Sequence, residues 1–91
     1  MNFEWDTLKA SSNFEKHKVT FGEAATVFGD PLSFTFYDPD HSSNENRFIT
    51  IGMSKTEKII IVSHTDRKDN IRIISARKAT AKERRFYEKN R

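Results

Sequence analysis

The hydrophobic period of this chain changes at Pro31, and that change limits the folds open to it. Before Pro31, apolar residues recur at helical spacing. After it come four short runs rich in β-branched and aromatic residues: LSFTFY (32–37), RFITIGM (47–53), KIIIVSHT (58–65) and IRIISA (71–76). Turn-forming segments separate them: DPDHSSNEN (38–46), a short turn around Lys55-Thr56, and DRKDN (66–70). Consecutive strands on short turns pair antiparallel, so a four-stranded meander is expected.

Helices flank the strands. Residues 2–5 read as a short strand or an extended lead-in. Asp6 is an N-cap for a helix over 7–17, where Ala10, Phe14 and His17 share a stripe. Thr20-Phe-Gly-Glu23 fits a capping box, in which hydroxyl and carboxylate each satisfy an orphan amide. The helix it opens buries Phe21, Ala24, Val27 and Phe28. Gly29 suits the left-handed position past its end, and Pro31 stops it. Thr80-Ala-Lys-Glu83 is a second capping box, opening a helix over 81–90 with Phe86 as its main apolar anchor. The fold class is therefore α+β: two N-terminal helices, the meander, and a C-terminal helix. One domain over 1–91 is expected, with helices on one sheet face and part of the other face open.

Composition narrows the function. A chain of 91 residues buries roughly 60–65% of its unfolded surface, enough for one core. Eight Phe and 35% hydrophobic content argue against disorder. The absence of cysteine excludes disulfides and thiolate metal sites and fits a cytoplasmic setting. No apolar run reaches membrane-spanning length and MNFEWD lacks signal-peptide character, so neither a membrane span nor a signal peptide is expected. The net charge of +3 is unevenly placed: residues 71–91 carry eight Lys/Arg and two Glu, while residues 1–70 carry eight Lys/Arg and eleven Asp/Glu. A basic block beside an acidic body suggests a polyanionic partner; a solvated helix face is the alternative.

If the turns are symmetric, Arg47 faces His64 across one hairpin and His64 faces Arg72 across the next. A row Arg47–His64–Arg72 then lies on one side of the sheet. Two cations flanking an imidazole call for an anion between them, which hints at a phosphate site. Neutralisation by Asp66 or Glu45 is the alternative. Arg77 has the opposite parity to Arg72, so an ideal strand points it to the other face unless the strand end bends. Lys78 follows it, and Thr80 presents a helix N-terminus, which favours anions. Lys82, Arg84, Arg85, Lys89 and Arg91 lie on the helix, as phosphate contacts or ordinary surface. Lys16-His17-Lys18 closes the first helix, where cations complement the dipole. The Asp38-Pro-Asp40-His41-Ser42 stretch fails as a calcium loop, having Ser43 in place of Gly and Ile49 in place of Glu. No zinc spacing or glycine-rich phosphate loop is present, and no cofactor or metal is expected. Metal-free RNA cleavage suits what remains. Histidine can act as base or acid, and Arg and Lys can hold the charge of the phosphorane.

A resemblance sharpens this reading. Phe3-Glu4-Trp5-Asp6, Lys9, Asn13, Lys16-His17, Phe21, Glu23-Ala24-Ala25, Phe28, Asp30-Pro31 and Asp38-Pro39-Asp40-His41 resemble the BrnT toxin family. So do Arg47, Gly52, His64-Thr65, the run Arg72-Ile-Ile-Ser-Ala-Arg77, Ala79, Glu83-Arg84 and Tyr87. The chain departs from the family at Thr7, where Pro is common, and at Lys18, where Gly is common. A left-handed Lys costs about 1 kcal/mol relative to Gly. The resemblance implies a RelE-like ribonuclease fold and a type II toxin that cleaves RNA without a metal and arrests translation. It also implies a BrnA-type antitoxin that holds the toxin inactive, for instance as a two-plus-two complex bound to operator DNA through the antitoxin. On this reading Arg72 and Arg77 stabilise the transition state, and Arg47 is a further phosphate contact. His64 is the general acid or base, with Lys16 or His17 assisting. Lys78, Lys82, Arg84 and Arg85 contact RNA. The alternative is a non-enzymatic nucleic-acid- or protein-binding module that uses the basic C-terminal region.

Overall fold

Short-range chemistry sets the helix ends in the computed structural model, which describes residues 1–90. Asp6 accepts from the Leu8 and Lys9 amides and starts α1 (Thr7–His17). Lys18 ends α1 in the left-handed region (φ 59°), its amide on the Phe14 carbonyl and its ammonium 5.7 Å from the centre of the Phe14 ring. Lysine thus takes the conformation that glycine would adopt more cheaply. Thr20 caps α2 (Phe21–Thr26) by accepting from the Glu23 amide. The reciprocal half of that box does not form. Glu23 instead binds the Ser54 hydroxyl at 2.9 Å, and also the Thr56 hydroxyl, fastening α2 to a hairpin turn. No glycine has positive φ, so Gly29 does not take the expected left-handed position. The chain tightens into a 3-10 turn at Val27–Gly29.

Five strands follow two chain directions: β1 (Asn2–Glu4), β2 (Phe34–Tyr37), β3 (Arg47–Met53), β4 (Ile59–Arg67) and β5 (Asn70–Lys78), in the order β1-β5-β4-β3-β2. Four form the expected antiparallel meander. The fifth corrects it: β1 runs parallel to β5, with Glu4 opposite Arg72, so the sheet is mixed. Phe3, packed against the core and the Phe28 ring, holds β1 there. The α1/α2 side of the sheet buries Val19, Phe21, Ala24, Val27, Ile60, Val62, Ile73 and Ala76. Gly52 admits this layer: a Cβ there would lie 2.8 Å from Val27 Cγ1 and 2.9 Å from Ser33 Cβ.

The C-terminal helix α3 (Ala81–Asn90) packs on the opposite face, where Tyr87 joins Ile51 and Ile61 in a smaller core. Helices therefore lie on both faces rather than one. The Tyr87 hydroxyl donates to Asp30 at 2.5 Å, and Asp30 also accepts from the Met53 amide, tying α3 to β3. At ten residues, α3 covers only part of its face. Among the described residues no helix is long and apolar enough to cross a membrane.

Candidate active site

One β-bulge decides which side chains share a face. β4 and β5 pair in step as Ile61 with Arg77 and Ser63 with Ser75, then as His64 with Ile73 and Thr65 with Arg72. Ile74 is the extra residue on β5. It shifts the alternation by one, so Arg72 and Arg77 lie on the same face, contrary to the parity of an ideal strand. Ile73 and Ala76 point into the α1/α2 core instead. Across the α3 face, one row reads Arg47–Thr65–Arg72–Glu4 and the next Ile49–Ser63–Ser75.

The expected row Arg47–His64–Arg72 is thus corrected to Arg47–Thr65–Arg72. The turn between β3 and β4 has Glu57 in the left-handed region (φ 64°) and centres on Thr56, one half-step from a symmetric Lys55-Thr56 turn. Lys68 is also left-handed (φ 57°), so the next turn closes on Lys68-Asp69, with Arg67 opposite Asn70. A slip of one residue transfers a side chain to the other face. His64 moves to the α1/α2 side, only 4% exposed, with its ring 4.8 Å from Phe28 and 6.0 Å from Phe48. Its Nε2 lies 2.7 Å from Thr50 Oγ1, which lies 2.8 Å from Thr35 Oγ1, while Nδ1 has no hydrogen-bond partner among the described residues. Burial holds its pKa below the ordinary histidine value, opposed by Asp66, so the ring is neutral.

Each arginine of the α3 face is held by a carboxylate. Arg77 grips Glu83 bidentately, Nη1 to Oε1 at 2.7 Å and Nη2 to Oε2 at 2.9 Å. Glu83 also closes the second capping box, accepting from the Thr80 amide while its own amide reaches Thr80 Oγ1. The Arg77 hydrogen bond above all pulls Glu83 down to a pKa of about 2. Arg72 Nη1 donates to Glu4 at 2.9 Å, and Asn70 donates to the other Glu4 oxygen at 2.9 Å. Those two bonds, Asn70 first, lower the Glu4 pKa. Arg47 Nε meets Glu45 at 3.4 Å, the neutralising contact open in the sequence. Partly exposed pairs of this kind add little stability, but they fix guanidiniums that each have more N–H donors than the carboxylate takes up.

Lys16 and His17 line a shallow depression with Ile74, the bulged residue, and Ser75, which lie between Arg72 and Arg77 along β5. Asn13 holds α1 there. Its Nδ2 donates to the Ala76 and Val19 carbonyls and its Oδ1 accepts the Ala76 amide, satisfying strand groups beyond the reach of β1. The helical stripe through Phe14 missed this residue: Phe14 is 46% exposed and Asn13 is the buried position of α1. The only signal for it was its place in the family motif.

Arg67 Nη1 also lies 3.9 Å from the Glu4 oxygen that holds Arg72, whereas the other basic residues expected to contact RNA lie apart from the row. Lys78 pairs opposite Ile60 and is exposed near Glu23. Lys82, Arg84, Arg85 and Lys89 are exposed on α3, and Arg91 lies outside the described residues. Beside Arg77, the open part of the face is an apolar groove of about 280 Å³, floored by Ile49, Ile51 and Ile61 and walled by Phe36 and Phe86.

Two comparisons identify the fold and the family. No curated protein matches the chain. The crystal structure of the Brucella abortus ribonuclease toxin, BrnT, matches with a TM-score of 0.64 at 23% identity, covering 88% of this chain and 97% of that one, and shows a common fold. The family model described as "Ribonuclease toxin, BrnT, of type II toxin-antitoxin system" matches residues 5–83, from Trp5 through α3's Glu83. This chain belongs to the BrnT family of type II ribonuclease toxins.

Proposed function

We propose that this protein cleaves RNA endonucleolytically, without a metal, on the α3 face of its sheet. The observation that carries the reading is the Ile74 bulge, which brings Arg72 and Arg77 onto one face with Arg47. RNA cleavage by transesterification removes the 2′-hydroxyl proton as the 2′-oxygen attacks phosphorus. It then expels the 5′-oxygen, which takes up a proton, leaving a 2′,3′-cyclic phosphate and a free 5′-hydroxyl. Arg72 and Arg77 bind the non-bridging oxygens and stabilise the extra charge of the phosphorane, and Arg47 holds a neighbouring phosphate. His17, with Lys16 beside it, exchanges protons with the reacting oxygens from the sheet edge. His64 is enclosed on the far side of the sheet and neutral. It therefore takes no part in proton transfer and supports β2 and β3 through Thr50.

Cleavage in the cytoplasm arrests translation, and a BrnA-type antitoxin neutralises the toxin by covering this face. The family's type II character supports a protein antitoxin. A binding-module reading draws on the exposed Lys82, Arg84 and Arg85 of α3. Purified protein incubated with RNA in excess EDTA distinguishes the two. Cyclic-phosphate 3′ ends are expected; RNA left intact at molar excess of protein would contradict the enzyme reading.

A further inference from the structure

We infer that the apolar groove beside Arg77 is a nucleobase subsite, in which one base of the RNA stacks against Phe36. The inference rests on RNA being the substrate and adds how that substrate is seated. Phe36 is 45% exposed and Phe86 39% exposed, an open position for two large rings on a chain with a small core. Their centroids lie 5.8 Å apart with the rings tilted by 55°, forming a wedge rather than a closed stack. Beneath the wedge, Ile49, Ile51 and Ile61 provide a flat aliphatic floor, and Arg77 stands at its margin.

The occupant must be flat and apolar at one end and anionic at the other. A nucleotide meets both conditions: its base lies in the groove against Phe36 and its phosphate reaches N–H donors of Arg77. Charge supports this choice over an apolar peptide side chain. Arg47 lies two residues along β3 from Ile49, about 6.6–6.8 Å away along an extended strand, and Arg72 lies in the same row as Arg47. A chain of phosphates can follow that row while a base occupies the groove, using N–H donors that Glu4, Glu45 and Glu83 do not take up; an uncharged side chain could not use them. Both Glu83 oxygens are held by Arg77, and one also by the Thr80 amide, so the groove margin offers no carboxylate committed to a base edge. Recognition is therefore by stacking area, which favours purines over pyrimidines without reading one base.

The test uses 2′-O-methyl oligonucleotides, which bind but cannot react, carrying 2-aminopurine at successive positions. The wild-type protein is expected to quench the fluorophore at one position. Phe36→Leu keeps the apolar volume but loses the ring; it should lose that quenching and weaken RNA affinity roughly tenfold. The loss should appear in KM for cleavage of unmodified RNA, with kcat largely kept. Phe36→Trp should restore both quenching and affinity, which separates stacking from a folding defect. Quenching at no position, or a Phe36→Leu protein identical to wild type, would overturn the inference while cleavage by the wild type left the ribonuclease reading intact. So would a Phe36→Leu protein that handles RNA normally but no longer binds the antitoxin, which would make the groove a protein pocket. Wild-type protein that neither binds nor cleaves RNA would remove the ribonuclease reading itself.

Discussion

The two faces of the sheet are built from alternate residues of the same strands, yet they serve opposite ends. On the α1/α2 face, Val19, Ala24, Val27, Ile60 and Val62 are fully buried, and the polar groups Asn13, Thr50 and His64 turn inward to internal partners. On the α3 face only Ile51, Ile61 and Tyr87 form a buried cluster, and the arginines stand half-exposed beside carboxylates. One face stores stability and the other holds partly exposed guanidiniums in place. What assigns a residue to one or the other is strand register. Thr65 and His64 are adjacent in sequence, and a single step of register decides which of them stands between Arg47 and Arg72.

The comparison breaks most visibly at Arg77 and Arg72. Arg77→Ala and Arg72→Ala should each slow RNA cleavage about 100–1,000-fold, the usual effect of removing one charge-stabilising donor, with far-UV circular dichroism unchanged. Comparable activity in either variant would mean that the α3 face does not hold the reacting phosphate.

On the other face the effect should be on stability alone. His64→Ala should lower unfolding free energy by about 2–4 kcal/mol in urea, through a cavity among Phe28 and Phe48 and the loss of one of the two hydrogen bonds of the Thr50 hydroxyl, which keeps Thr35. The native state keeps His64 neutral, so the unfolded chain binds its proton first. Wild-type stability should fall as pH drops below the ordinary histidine range, and His64→Phe should lessen that slope.

A smaller pH effect belongs to the α3 face. Glu83 is depressed from 4.5 to about 2, so its stabilisation is present above pH 4.5 and lost as pH falls towards 2. The pair is partly exposed, and Glu83→Gln should cost less than about 1 kcal/mol at neutral pH while removing that acid-side loss. Smallest of all, Lys82→Ala, Arg84→Ala and Arg85→Ala should each change RNA affinity by about twofold or less in fluorescence anisotropy, with the saturating cleavage rate unchanged. A larger, strongly salt-dependent loss would move the binding surface to the outer side of α3.

Much of this architecture was legible because it is local. Asp6, Thr20 and Thr80 act within three residues of themselves, and alternation located β2 to β5. Features set by distant contacts were not legible. The parallel pairing of β1 depends on Phe3 finding Phe28, and Glu23 leaves its own cap for hydroxyls more than thirty residues away. Left-handed Glu57 and Lys68 displaced both turn centres, and sequence does not mark these residues as glycine would be marked. The basic residues of the candidate site were legible as residue types, and Arg47, Arg72 and Arg77 share the α3 face of the sheet. Their arrangement required the Ile74 bulge, and their carboxylate partners Glu4 and Glu83 were not foreseen.

The most direct test compares Arg72→Ala with His64→Gln in single-turnover cleavage of one RNA in EDTA, each rate corrected for the folded fraction. The account predicts at least about a hundredfold loss for Arg72→Ala and a rate close to wild type for folded His64→Gln. A folded His64→Gln protein that cannot cleave RNA, beside an Arg72→Ala protein that can, would contradict the division of labour between the two faces.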